Sequence, residues 1–353
     1  MQDDVYERLA GALGRMPNGF PRTPSNVEIR ILKKIFTDEE AMLASNLSHV
    51  REPVGEIALR LGVPEQELKT RLVEMVKRGL VWMSRKEGQM SFRLAPFIVG
   101  IYESQIELMD HEYAHLIEEY LVAGGAAGIM RPQPALHRVV PGRHAVKSEY
   151  ILPYDDIKAM FENAKSFRAE DCICRVQQET LGRRKCDFPV RLCLNFSPVA
   201  RPSSPHDVSK EEALALLDQA EEIGLVHCVS NVIKGLFYVC NCCGCCCGIL
   251  RGITDWGIEE SVARANYYSV IDPDLCNACG TCVDRCQVHA IIEEGGVMSV
   301  QREKCIGCGL CVTGCSSGAA ALKRKTDAEL VDPPEDFSAW ERARLQRRGV
   351  ESA

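Results

Sequence analysis

From Val27 onward, Ile29, Ile31, Leu32 and Ile35 recur at the spacing of one buried helix face. The run VGEIALRLGVPEQELKTRLVEMVKRGLVWMSRKEGQMSFRLAPF then predicts a helix, a turn at Gly62, a helix started by Pro64, and a hairpin turning at Gly88. Between Ile98 and Leu121, Ile101, Tyr102, Met109, Tyr113, Leu116, Ile117 and Tyr120 share a face with Ile98 at about 100° per residue. That periodicity predicts one long amphipathic helix. Residues 123–150 are rich in glycine and proline and predict a linker. Residues 1–24, with MPNGFPRTPS, predict a flexible arm. From 151 to 268, helical stretches (YDDIKAMFENAKSF, SKEEALALLDQAEEIG) alternate with short strand-like ones (LVHCV, LFYVC), the pattern of a small mixed α/β domain.

The resulting division is an arm at 1–24, a helical domain at 25–122, a linker at 123–150 and a cysteine-rich α/β domain at 151–268. A further domain occupies 269–325, and a charged tail with Pro333 and Pro334 occupies 326–353. The fold class expected is multidomain α+β, and 353 residues give room for two or three domains. Acidic residues outnumber basic ones by 49 to 42, too small an excess to select a class of partner. The opening MQDDVYERLA has no signal-peptide pattern, and no apolar run approaches the roughly 18 residues of a membrane span. With nineteen cysteines, these features predict reduced thiolates on metal in the cytoplasm of an anaerobic or low-oxygen host, rather than disulfides.

Eight cysteines supply the reason. Cys276, Cys279, Cys282 and Cys286, then Cys305, Cys308, Cys311 and Cys315, both read C-x2-C-x2-C-x3-C, with an offset of 29 residues. The segment resembles clostridial-type two-cluster ferredoxins, which implies two 4Fe–4S clusters. The resemblance assigns Cys276, Cys279, Cys282 and Cys315 to one cluster, and Cys305, Cys308, Cys311 and Cys286 to the other. Small residues (Ala278, Gly280, Gly307, Gly309) allow backbone N–H groups to approach the sulfides. Where the family has proline after the fourth cysteine, this chain has Gln287 and Ser316, which alters the turn without removing a ligand.

A second run, YVCNCCGCCCGIL, holds Cys240, Cys242, Cys243, Cys245, Cys246 and Cys247. Adjacent side chains diverge, so the expected ligands are every third residue: Cys240, Cys243 and Cys246, with Cys242 and Cys245 as an overlapping pair. A preceding strand and a helix beginning near Gly248 place the run at a helix start. Further ligands are available from Cys172, Cys174, Cys186 and Cys193, among Arg175, Arg183, Arg184, Lys185 and Arg191. These cysteines predict a third Fe–S cluster, with structural zinc as the alternative and Cys228 as a simple core cysteine. The motifs LPYDD, CICR and YVCNCCGCC, with the two ferredoxin runs, resemble large 4Fe–4S-binding proteins of anaerobic bacteria. That likeness implies electron transfer without a defined substrate.

The order of elements before residue 95 resembles a winged helix–turn–helix. Its second helix is acidic at the start (Glu65, Glu67), and Glu74 offsets Lys69, Arg71, Lys77 and Arg78. The hairpin carries Arg85, Lys86 and Arg93 against Glu87. This balance favours protein docking over DNA. His111, Glu112 and His115 spell the zincin signature HEYAH, but helical phase places both histidines on the solvent side. His227 and Asn231 are expected as satisfied core polar groups rather than ligands. No dinucleotide fingerprint or phosphate loop is present. The function expected is therefore an iron–sulfur electron carrier or oxidoreductase subunit, working with a redox partner protein. The alternative is a redox-sensing DNA-binding regulator.

Overall fold

The structure is a computed structural model describing residues 5–146 and 152–350. These residues form two compact units. The first comprises 5–133, 176–182 and 341–350; the second comprises 134–146, 152–175 and 183–340.

In the first unit, the expected arm contains a packed helix. Val5–Gly14 buries Tyr6, Leu9, Ala10 and Leu13, which recur at i, i+3, i+4 and i+7. The proline-rich residues after it bring Phe20 against Phe97 (ring centroids 4.6 Å apart) and Tyr120 (5.2 Å). Helices Val27–Ile35 and Asp38–Ala44 follow, the second started by a Thr37–Glu40 capping box. Helix Val54–Leu61 ends at Gly62, whose φ of 67° suits a residue without a Cβ, and helix Glu65–Lys77 begins after Pro64. Strands Val81–Lys86 and Gln89–Leu94 form the expected hairpin, and Glu52–Pro53 pairs with the second of them.

The long helix expected from Ile98 is not continuous. Ile98 and Val99 are extended (φ −121°, ψ 127° and φ −84°, ψ 113°), and Tyr102–Ser104 and Ile106–Leu108 are single 3-10 turns. Only His111–Tyr120 is α-helical, because the Asp110 carboxylate accepts from Tyr113 N–H and starts a new helix there. The apolar spacing was compatible with a helix, but the cap cut it. The expected linker is also structured, with helix Ala126–Met130 and strand His137–Val140, all four of whose residues are buried. Part of it, 147–150, lies outside the described residues. The expected solvated tail contains helix Phe337–Arg347. In the first unit its Arg344 guanidinium is fully buried and donates to the carbonyls of Pro17 (2.9 Å), Ile129 (2.8 Å) and Pro132 (2.5 Å). Those acceptors offset the cost of burying it.

The second unit is built on a seven-stranded sheet. Its order is Val262–Ala263, His137–Val140, Val226–Ser230, Tyr238–Cys242, Arg191–Ser197, Ser166–Asp171, Asp207–Val208. All pairings but the first are antiparallel. Helices Ile157–Glu162 and Lys210–Ile223 cover one face. There Ile157, Phe161, Ala213 and Leu217 pack on Val140, Phe167, Leu194, Phe196, Val229 and Val239. The second helix has a Ser209–Glu212 capping box and ends at left-handed Gly224. Side chains alternate between the faces of a strand. With Leu194, Val229 and Val239 facing the helices, Cys193, Cys228, Cys240 and Cys242 take the opposite face. The same unit contains the ferredoxin-like segment: strands Tyr267–Ile271 and Ala320–Arg324 pair, as do Ile291–Glu294 and Val297–Val300.

Candidate metal centres

Short helices Thr281–Asp284 and Leu310–Thr313 reproduce the 29-residue offset of the two cysteine runs. Each is preceded by a left-handed glycine, Gly280 (φ 79°) and Gly309 (φ 81°), which turns the chain out of the ligand loop. The two runs exchange their fourth cysteine. Cys286, Cys305, Cys308 and Cys311 line one small pocket, walled by Val288, Ile291, Val300, Ile306 and Leu310 among others. Burial raises the Cys308 thiol, with further upward pressure from the neighbouring Cys311, Cys286 and Cys305. The other set gathers Cys315 with Cys276, Cys279 and Cys282: burial and then the charges of those three neighbours raise the Cys282 thiol.

The two sets differ in exposure. Cys279 is exposed, and hydrogen bonding to Thr281 lowers its thiol. Cys311 is buried, which pushes its thiol up to about 12 despite Ser269 Oγ at 3.1 Å. Backbone N–H groups point at the exchanged cysteines, Ala290 at Cys286 (3.1 Å) and Ala320 at Cys315 (3.4 Å). Burial opposes ionisation of Cys315, but hydrogen bonds from Ser317, Ala320 and Ala319 prevail and lower it. Eight thiols in two sets, with apolar walls and N–H donors to sulfur, suit anionic thiolate-bound clusters.

The upstream cysteines, expected as one set, divide into two. The first is a ring of neighbouring thiols that shift one another's ionisation. Cys172 neighbours Cys174 and Cys193, Cys193 neighbours Cys240, Cys240 neighbours Cys242, Cys242 neighbours Cys247, and Cys247 neighbours Cys174. Sheet register explains half of it. Leu194 pairs with Val239 and Asn195 with Tyr238, so Cys193 falls opposite Cys240. Cys240 in turn pairs with Cys228, which is fully buried and touches Cys242. Thiol hydrogen bonds from Cys174 and Cys193 lower Cys172, while Cys174, Cys193 and Cys247 are raised.

The second set is Cys186, Cys243, Cys245 and Cys246, whose sulfurs all lie within 4.8 Å of one another. Cys186 Sγ is 3.9 Å from Cys243 and 3.8 Å from Cys246, and Cys245 is 3.6 Å from Cys246. Two expectations are thereby corrected. Cys240 does not join Cys243 and Cys246, because it still belongs to the strand while they follow it. Adjacent Cys245 and Cys246 converge rather than diverge, because the chain turns at Gly244–Cys246. Thiol donation from Cys245 and Cys246, aided by Arg175, holds the Cys243 thiol well below its ordinary value. Cys245 and Cys246 are correspondingly raised.

Arg175 serves both sets. Its side chain is fully buried and donates to the Pro189 (3.1 Å) and Asn241 (2.6 Å) carbonyls, while its Nε has no protein acceptor. Burial would lower it, but Cys172, Cys243, Cys193 and Cys242 outweigh burial and raise it. Gln287, which stands where clostridial-type ferredoxins carry proline, also has a partner. Gly244 N–H donates to its Oε1 (2.8 Å), and its Nε2 donates to Gly224 O (2.9 Å). The Gln287 carbonyl occupies the place of a Gly244 Cβ, so only glycine fits there. Sequence reasoning gave Cys247 no role and paired Cys242 with Cys245, which the structure places in different sets; the glycine before Cys245 was the local sign of a turn.

His227 is a buried core residue, its Nδ1 2.6 Å from Asn241 Oδ1, and Asn231 is also buried. His111 and His115 are exposed, with ring centroids 4.5 Å apart.

Residues 268–316 match the family model of the 4Fe-4S dicluster domain. Comparisons with curated proteins and with solved structures return no significant match.

Proposed function

We propose that this chain is an iron–sulfur electron-transfer protein, or the electron-transfer subunit of an anaerobic oxidoreductase, in the cytoplasm. Two 4Fe–4S clusters are held by Cys276, Cys279, Cys282 and Cys315 and by Cys305, Cys308, Cys311 and Cys286. The observation carrying this reading is the exchange of the fourth cysteine, which completes a four-thiol lining around one apolar cavity. The matched dicluster domain supports it. Bound clusters would supply one-electron transfer, the chemistry the cofactor itself carries. The chain contributes apolar walls that exclude water and N–H donors that stabilise thiolate charge. A third cluster belongs to the thiol ring of Cys172, Cys174, Cys193, Cys240, Cys242 and Cys247. Arg175 Nε, buried without an acceptor, supports an anionic occupant there.

The helix–turn–helix and hairpin of the first unit serve as a docking module for a redox partner protein. Four of their basic side chains are engaged with carboxylates: Arg71 with Glu67 (2.9 Å), Lys77 with Glu74 (2.7 Å), Arg93 with Glu341 (2.7 Å), and Arg78 with Glu40. Such neutralised charges favour a protein partner over phosphates. Among the described residues no helix is long and apolar enough to cross a membrane. The test is anaerobic purification with iron and sulfide counts and EPR of the reduced protein. About eight or more of each per chain, with two interacting low-potential signals, is the expected result. A chain without acid-labile sulfide would refute the reading.

A further inference from the structure

The upstream four-thiol set is built for a different occupant from the ferredoxin-like sets. Four thiolates on a 4Fe–4S cube each hold a different iron and splay outward from its corners, so their sulfurs stand well apart. Four thiolates on one tetrahedral ion share a centre. With metal–sulfur bonds of about 2.3 Å, tetrahedral geometry places the sulfurs about 3.8 Å from one another. Three of the six sulfur–sulfur separations are 3.9, 3.8 and 3.6 Å, and all six are within 4.8 Å. The same chain supplies an internal comparison. Among the described residues, Cys186, Cys243, Cys245 and Cys246 are the only group of three or more Cys, His, Asp or Glu ligand atoms gathered within 4.8 Å; neither ferredoxin-like set is so close.

We propose that Cys186, Cys243, Cys245 and Cys246 bind a single tetrahedral divalent metal ion, zinc or iron, without inorganic sulfide. An S4 tetrahedron suits both ions. Four thiolates around a divalent cation leave two negative charges, and the Arg175 guanidinium beside Cys243 offsets part of that charge. The ion ties the loop carrying Cys186 to the turn Gly244–Cys246. That turn is also fixed at Gly244, whose N–H donates to Gln287 and whose carbonyl accepts from Thr254 Oγ1 at 3.0 Å. The site therefore braces the chain next to Cys286, and its role is structural.

This proposal does not depend on the electron-transfer reading, and one set of measurements separates the two. In the anaerobically purified full chain, 4Fe–4S clusters contribute iron and sulfide in equal number. Total iron plus zinc should therefore exceed sulfide by one per chain. In Cys186→Ser and Cys245→Ser that excess falls to zero, while sulfide and the EPR of the reduced clusters are unchanged. Loss of zinc identifies zinc; loss of iron, together with loss of the mononuclear high-spin ferric signal that ferricyanide oxidation develops in the wild type, identifies iron. Equal metal and sulfide in the wild type, or loss of about four irons with four sulfides in either variant, overturns the proposal. The wild-type excess decides the matter even if both variants fail to fold. A failed electron-transfer reading would show instead as absent sulfide, with the excess still present.

Discussion

The ferredoxin-like segment and the upstream cysteine region both concentrate thiols, but they do so by different means. In the first, a loop of fixed spacing and a left-handed glycine bring three cysteines together within seven residues, and only the fourth comes from afar. In the second, the sulfurs meet because three antiparallel strands are in register and one turn follows them. Local spacing defines a ligand set in sequence; sheet register defines one only after folding. The difference teaches that cysteine count and periodicity identify metal chemistry but not its partition into sites.

The sharpest way to separate the two regions is to remove one thiol from each. Cys308→Ser should reduce iron and sulfide by about four each per chain, whereas Cys186→Ser should leave sulfide untouched; metal and sulfide assays on anaerobic protein decide it. Next in size is Arg175→Met. It leaves buried thiolate charge without its guanidinium and should cost about 3–5 kcal/mol, read by anaerobic denaturant unfolding. No loss would show that the upstream region, like the ferredoxin-like one, relies on backbone donors. Gly244→Ala forces a Cβ onto the Gln287 carbonyl. About 1–3 kcal/mol should be lost, and Gln287→Pro, which installs the proline found there in the ferredoxins this segment resembles, should cost a similar 1–3 kcal/mol by removing both side-chain hydrogen bonds. If Gln287→Pro were neutral, the two regions would be independent.

The smallest effect concerns pH. His137 is buried beside Tyr238 with both ring nitrogens lacking partners, and burial lowers its pKa to about 4. Between that value and the ordinary one near 6.5 the unfolded chain binds the extra proton. This contribution to stability is complete above pH 6.5 and is lost as pH falls toward 4. At pH 5.5 the loss is about 1.4 kcal/mol. His137→Leu should flatten that part of the profile, seen as a smaller drop in Tm between pH 7 and 5.5.

Much of this was legible in the chain itself. The helices on either side of Gly62 and the hairpin at Gly88 follow from local periodicity and glycine and appear where expected, and the matched dicluster domain covers both cysteine runs. The misreadings have equally local causes. Tyr6, Leu9, Ala10 and Leu13 carried a helical face, but the proline-rich stretch beside them dominated the reading. Asp110 was a helix start placed inside a convincing apolar stripe. HRVV is a strand whose only distinguishing property is burial, which sequence does not display. Gln287 looked like a departure from a family pattern, and its reason lies 43 residues away at Gly244.

Arg344 has a consequence for the order of assembly. Its guanidinium gathers carbonyls from residues 17, 129 and 132, so the first unit draws on both early and late parts of the chain. Domains generally fold as units during synthesis, from the N-terminal end. Here the first unit cannot close until residues 341–350 have left the ribosome. By then residues 134–340 are already available to fold and take up metal, so the unit that begins first finishes last.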